Sequence, residues 1–264
     1  MRTSRALILA RGLGKRMRAG GTARLDPGQA AAAEAGMKAM MPFGRPFLDF
    51  VLHALADAGV TDAGLVLGPE HESVRAYYRA LVTTRIGITF VEQPEPLGTA
   101  NAVASARAWA GTDSFLVLNA DNLYPDDVLA RLVRGRGPAL PGFERDSLGI
   151  PLERIGAFAL LEVRDDGSLE RIVEKPGVEL MSAAGPGALV SMNLWRFDAR
   201  IFEACEAVPL SERGERELPQ AVALAVQRGL RFDVFRAQGP VLDLSSRADV
   251  AHVARALAGR HVQL

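Results

Sequence analysis

The chain has 264 residues, 48% of them hydrophobic, which is enough to bury a large core, and its 31 basic side chains are matched by 31 acidic ones. That balance leaves no basic excess of the kind that would pull the whole surface onto a nucleic acid or an anionic membrane, and an aromatic content of 6% offers no stacking platform for single strands. The longest apolar run near the start, Ala6 to Ala10, is too short for a signal sequence or a membrane span, so a cytoplasmic protein is expected.

Up to about residue 135, short apolar runs alternate with longer helical patterns, the signature of βαβ units and a parallel sheet. Strands are expected at 5–10, 63–67, 88–92 and 115–119, and helices at 47–58, stopped by Gly59, at 70–81 and at 99–110. The alanine-rich 26–36 reads as a short mobile helix, and the connection 18–36 is expected to be disordered without a ligand. After Gly135 comes a Gly/Pro-containing stretch, then two strands joined by an Asp-Gly turn in A-F-A-L-L-E-V-R-D-D-G-S-L-E-R-I-V-E. Strands at 188–197 and 231–236 follow, with helices near 199–207, 217–228 and 247–258. The lone Cys205 has no partner for an internal disulfide, and its helical context places it inside. His53, His71, His252 and His261 lack ligand spacing and read as surface or boundary residues.

The first chemical signal is Gly12-Leu13-Gly14 after a strand, followed by Lys15-Arg16. Glycines let main-chain N–H groups approach phosphate oxygens, and the cations neutralise them. A dinucleotide fingerprint would need a third glycine where Met17 stands, and G-x-x-x-x-G-K-[ST] is absent. Only three of the basic residues are lysines, Lys15, Lys38 and Lys175, which singles them out as compact charges where arginine's planar fork does not fit.

L-A-R-G-L-G-K-R-M resembles the G-x-G-x-R-[ML] signature of the sugar-1-phosphate nucleotidyltransferases, and further segments match that family in order. G-M-K-A-M-M-P-F-G-R-P-F puts Lys38 on its triphosphate-binding lysine, and E-Q-P-E-P-L-G-T-A-N-A-V resembles its base-reading loop. L-N-A-D-N-L and V-L-D-L-S-S place Asp121 and Asp243 on its metal aspartates, and V-E-K-P matches its sugar-phosphate motif. The resemblance implies an α/β fold, Rossmann-like, with a mixed, mostly parallel sheet flanked by helices. It also implies one domain over 1–264, with 1–135 as the nucleotide half and 136–264 as the sugar-phosphate half.

The implied reaction is Mg²⁺-dependent transfer from a nucleoside triphosphate to a sugar 1-phosphate, with Asp121 and Asp243 holding the metal. Arg16, Lys38 and Lys175 would be catalytic cations. Leu9, Ala10, Gly12, Leu13, Gly14, Lys15, Gln93, Gly98, Thr99 and Ala120 would bind the nucleotide, and Glu174, Ala159 and Asn193 the sugar. Gln93 with groups near Gly98 favours UTP or dTTP. A guanylyl- or cytidylyltransferase is the alternative, as is a non-catalytic subunit that binds a nucleotide sugar. Phe158-Ala159 and Ser191-Met192-Asn193 depart from the family's tyrosine-glycine and asparagine-alanine-glycine, which admits an uncommon sugar or a cyclitol phosphate. Arg11 and Met37 also depart; Arg11 is expected either to assist binding or to point to solvent. A homo-oligomer is compatible with the resemblance, though no interface is legible.

Overall fold

The structure, a computed structural model, describes residues 3–264 apart from 13 and 22. Among these, a ten-stranded sheet organises the molecule. β1 (Arg5–Leu9), β2 (Asp62–Leu67), β3 (Gly87–Glu92) and β4 (Phe115–Asn119) run parallel in the order β3-β2-β1-β4. The apolar runs of β1 and β4 are buried on both faces because helices cover both. Alternation sorts their side chains. Ala6, Ile8, Leu116 and Leu118 pack toward helices Phe47–Ala58 and Asp126–Arg134. Leu7, Phe115 and Val117 pack toward helices Thr99–Ser105, Ile201–Ala207 and Leu218–Gln227.

Beyond β4 the chain adds β5 (Asn122–Leu123), β6 (Ala139–Glu144), β7 (Ala159–Val163), β8 (Leu169–Val173), β9 (Leu189–Ser191), β10 (Leu194–Phe197), β11 (Asp233–Ala237) and β12 (Leu242–Asp243). The sheet continues from β4 in the order β10-β6-β9-β7-β8, and β11 lies parallel on the other edge of β6. The small pair β5–β12 stands apart and is antiparallel.

Several expectations are corrected. The Gly/Pro stretch after Gly135 contains a strand, β6, although A-L-P-G-F-E carries the two residues that usually argue against one. β10 meets β6 at Ala139 and β9 meets it at Phe143 and Glu144, so Pro141 falls in the gap between two partners on that edge. The expected strand 188–197 is broken at Met192-Asn193, where Asn193 has φ 56° and the chain changes partners from β7 to β4. The expected helix 99–110 divides at Ala106. Within the connection 18–36, expected to be disordered, the alanine-rich segment forms the expected helix, Pro27–Ala35. Asp26 and Gln29 form a reciprocal capping box, Pro27 opens the first turn, Gly36 closes the last with φ 71°, and Ala32 and Ala33 are buried. Cys205 is buried, and no helix among the described residues is long and apolar enough to cross a membrane.

Candidate active site

The parallel strands all end on one side of the sheet, where ligands bind in folds of this kind. There the loop after β1 forms the floor of a cavity of about 330 Å³ shared by Gly12, Gly14, Lys15, Arg16, Lys38 and Gln93. Gly14 has φ 58°, and a Cβ on it would lie 2.7 Å from the Cα of Gly36, so the capped alanine helix presses main chain to main chain against the loop. Lys15 and Arg16 are exposed at the cavity. Leu9, Gly12, Lys38 and Thr99 also line an adjoining, more apolar cavity of about 230 Å³ with Ala10, Ala120 and Asp121. Leu13 lies outside the described residues.

Gln93 follows β3 and is buried, its Nε2 donating to the Gly98 carbonyl at 3.1 Å and to Asn101 Oδ1 at 2.8 Å. Gly98 starts the next helix with φ 99°, and any Cβ there would meet the main chain of Arg216 at 2.5–3.0 Å. The Thr99 hydroxyl accepts from the Leu218 N–H at 2.8 Å, which ties this loop to the second half of the chain.

A third cavity, about 450 Å³, opens beside the first two and shares Leu9, Arg16, Thr99 and Asp121 with one or both of them. Ala159, Glu174, Lys175, Asn193 and Asp243 line it. Lys175 (φ 46°) and Asn193 (φ 56°) are the non-glycine residues with positive φ among those described, and both stand at this cavity. Such backbone costs about 1–3 kcal/mol and persists where the surroundings impose it, often at functional sites. Burial raises the Glu174 carboxyl above its ordinary range, with Glu217 adding to the shift and Lys175 and Arg213 opposing it.

The second and third cavities meet at Asp121, and Asp243 lines the third. Asp121 lies just past β4, where its Oδ2 pairs with Lys38 Nζ. Asp243 ends β12; the Asp121 carbonyl accepts from the Leu244 N–H at 2.9 Å, which brings the acids together. Burial raises the Asp243 carboxyl, Asp121 and Asp249 raise it further, and hydrogen bonds from Ser245 (2.6 and 2.8 Å) oppose this. No group of three or more His, Cys, Asp or Glu among the described residues forms a metal cluster. Two carboxylates of a hard oxygen-only set, crowded enough to raise the proton affinity of one, fit a small divalent cation that takes its other ligands from phosphate and water.

All the described residues expected to act thus face one cleft. The structure adds some that the sequence reading missed. Arg213 faces both the loop cavity and the third one. Arg154 bridges Asp243 at 3.4 Å and Asp249 at 2.8 Å. Both come from charged stretches without a spacing signal. Arg11 does not point to solvent: it donates to the Gln93 carbonyl and pairs with Glu70.

Residues 5–240 match the family model described as nucleotidyl transferase. A glucose-1-phosphate thymidylyltransferase of Streptomyces antibioticus is 29% identical over 80% of this chain and 57% of its own length. A low-salt glycan biosynthesis nucleotidyltransferase of Haloferax volcanii is 26% identical over 88% of this chain and 62% of its own length. The chain therefore spans about 60% of these two relatives. A UTP–glucose-1-phosphate uridylyltransferase of Haloferax volcanii is 27% identical over 92% of both chains. The fold is that of a UDP-glucose pyrophosphorylase solved with UDP-glucose (TM-score 0.75, 18% identity, 96% of this chain and 98% of that one). It is equally like a UTP-bound enzyme of Acinetobacter baumannii (TM-score 0.74, 21% identity, 98% and 94%). With the family match covering most of the chain, this protein belongs to the nucleotidyl transferase family.

Proposed function

We propose that the cleft transfers a nucleotidyl group from a nucleoside triphosphate, UTP or dTTP by preference, to a sugar 1-phosphate, giving a nucleotide sugar and pyrophosphate. The observation that carries this reading is that two cation-lined cavities adjoin, sharing Arg16 and Arg213, with Asp121 and Asp243 lining one and Lys38 of the other paired to Asp121. An oxygen of the sugar phosphate attacks the α-phosphorus, the new P–O bond forms, and the bond to the β-phosphate oxygen breaks as pyrophosphate leaves. No covalent enzyme intermediate is needed, so the protein's work is to bring two anions together and spread their charge.

Each half of the cleft has a role in that account. Gly12, Gly14 and the cations Lys15 and Arg16 take the triphosphate. Lys38, paired with Asp121, lines the same cavity, so a triphosphate competes with Asp121 for it. Lys175 takes the sugar phosphate, Glu174 accepts from a sugar hydroxyl, and Ala159 and Asn193 shape the sugar's surroundings. Mg²⁺ held by Asp121 and Asp243 would offset the charge on the phosphate oxygens. Residues 1–264 would work as one domain in the cytoplasm, 1–135 serving the nucleotide and 136–264 the sugar phosphate.

The relatives' names point to glucose 1-phosphate. The buried Met192 and left-handed Asn193 reshape the sugar side and keep an uncommon sugar or cyclitol phosphate in the panel. The test is pyrophosphate release from a matrix of nucleoside triphosphates and sugar 1-phosphates with and without Mg²⁺. Metal-dependent release with one favoured pair supports the reading. Silence across the matrix, with nucleotide-sugar binding intact, overturns it in favour of a non-catalytic binding subunit.

A further inference from the structure

We propose that Arg11, held by Glu70, is a positioning residue that sets nucleobase selectivity by fixing Gln93; this rests on the reading of the cleft as a nucleoside triphosphate site. Arg11 stands in the glycine loop with its side chain only 8% exposed. Its Nε and Nη2 meet the Glu70 carboxylate at 3.0 and 3.2 Å, a two-point fork, while Nη1 donates to the main-chain carbonyl of Gln93. The Gln93 N–H donates to the Leu67 carbonyl at 2.9 Å. Gln93 is thus pinned on both sides of its α-carbon, by strand β2 and by the arginine.

The side chain is pinned as well, and in one direction. The group 3.1 Å from the Gly98 carbonyl must be Nε2, because a carbonyl oxygen only accepts. The same Nε2 lies 2.8 Å from Asn101, whose facing atom is therefore Oδ1. Both amide hydrogens are engaged, and Oε1 is the polar atom left for a ligand. Uracil, thymine and guanine carry a ring N–H that Oε1 can accept. Cytosine and adenine present a bare ring nitrogen there, lone pair against lone pair. Turning the amide over would set Oε1 against the Gly98 carbonyl, whose loop is fixed by its close approach to Arg216.

Without Arg11 the Gln93 main chain loses one of its two anchors, and the amide gains room to shift and turn. Glu70 lines none of the three cavities; it holds the arginine with two hydrogen bonds, and its carboxylate also lies 3.4 Å from His71 Nδ1. The experiment is equilibrium binding of UTP, CTP, GTP, ATP and inorganic pyrophosphate to wild type, Arg11→Met and Glu70→Gln, each checked for an unchanged fold by circular dichroism. Wild type should favour UTP over CTP, or GTP over ATP, by about 10- to 100-fold, the cost of a buried polar mismatch. Arg11→Met should lower that ratio about 10-fold and Glu70→Gln about 3-fold, with pyrophosphate affinity unchanged in both.

Pyrophosphate affinity that falls in Arg11→Met while the base ratio holds would make Arg11 a phosphate ligand and overturn the proposal. An unchanged ratio in both variants overturns it too. A wild type that binds no nucleotide defeats the reading of the site itself, and the proposal with it.

Discussion

Gly12 and Gly14 belong to one short motif, yet the structure assigns them different work, and alanine substitution separates the two. At Gly14 an added Cβ meets the Gly36 main chain at 2.7 Å (Cα) and 2.9 Å (carbonyl carbon), and φ is 58°. The left-handed backbone costs a residue with a Cβ about 1–2 kcal/mol, and overpacking against main chain about 1–3 kcal/mol more. The sum is about 2–5 kcal/mol; at about 3 kcal/mol, Gly14→Ala should lower Tm by roughly 6–12 °C in a chain of this size. At Gly12 nothing lies within 4 Å of the added Cβ, so Gly12→Ala should leave Tm within about 2 °C of wild type. The same methyl projects into the space where main-chain N–H groups must approach phosphate, so nucleotide KM should rise about 10-fold or more. Thermal denaturation and steady-state kinetics on both variants check this. A stable Gly14→Ala protein, or a Gly12→Ala protein that loses stability but not affinity, would refute the reasoning.

Burial pushes the Cys205 thiol up to about 12, so the native protein should resist a thiolate-selective reagent until it unfolds; rapid labelling of the folded protein would contradict the packing described. Glu174 is reached from the cavity yet walled by protein, and that burial, with Glu217, holds its carboxyl above the ordinary 4.5. Between that value and the raised one the folded state carries the extra proton, so its contribution to stability is lost as pH rises through this window and is flat above it. Glu174→Gln should therefore gain stability relative to wild type as pH rises through the same window, as read by denaturant unfolding at a series of pH values. A gain that instead grows as pH falls would refute the assignment.

The parallel strands were legible because buried strands in such sheets are continuous apolar runs, and R-A-L-I-L and F-L-V-L-N are little else. β6 was not, since Pro141 and Gly142 break every local rule for a strand. What permits them is tertiary: a gap between β10 and β9 accepts the proline, and a Cβ at Gly142 would lie 3.0 Å from Leu189. The alanine helix was legible too, its composition supported by the local signals D-P-G-Q and Gly36 at its ends. In the cleft, Lys38, Asp121, Lys175 and Asp243 could be found because short motifs surround them. Arg154 could not, because its partners Asp243 and Asp249 lie far along the chain, and Arg213 could not, because its pairing with Glu217 four residues on reads as an ordinary surface ion pair; Arg11 stood out only as a departure, its partners Glu70 and Gln93 being remote in sequence.

Attack at the α-phosphorus is tested most directly by the fate of labelled phosphate. With the nucleotide and sugar 1-phosphate that support turnover, an α-labelled triphosphate should pass its label to the nucleotide sugar, and a γ-labelled one should release it as pyrophosphate. Asp121→Asn should abolish both transfers while the protein stays folded. Label from the γ-phosphate appearing on the sugar, or α-label retained in a nucleoside diphosphate, would contradict the account.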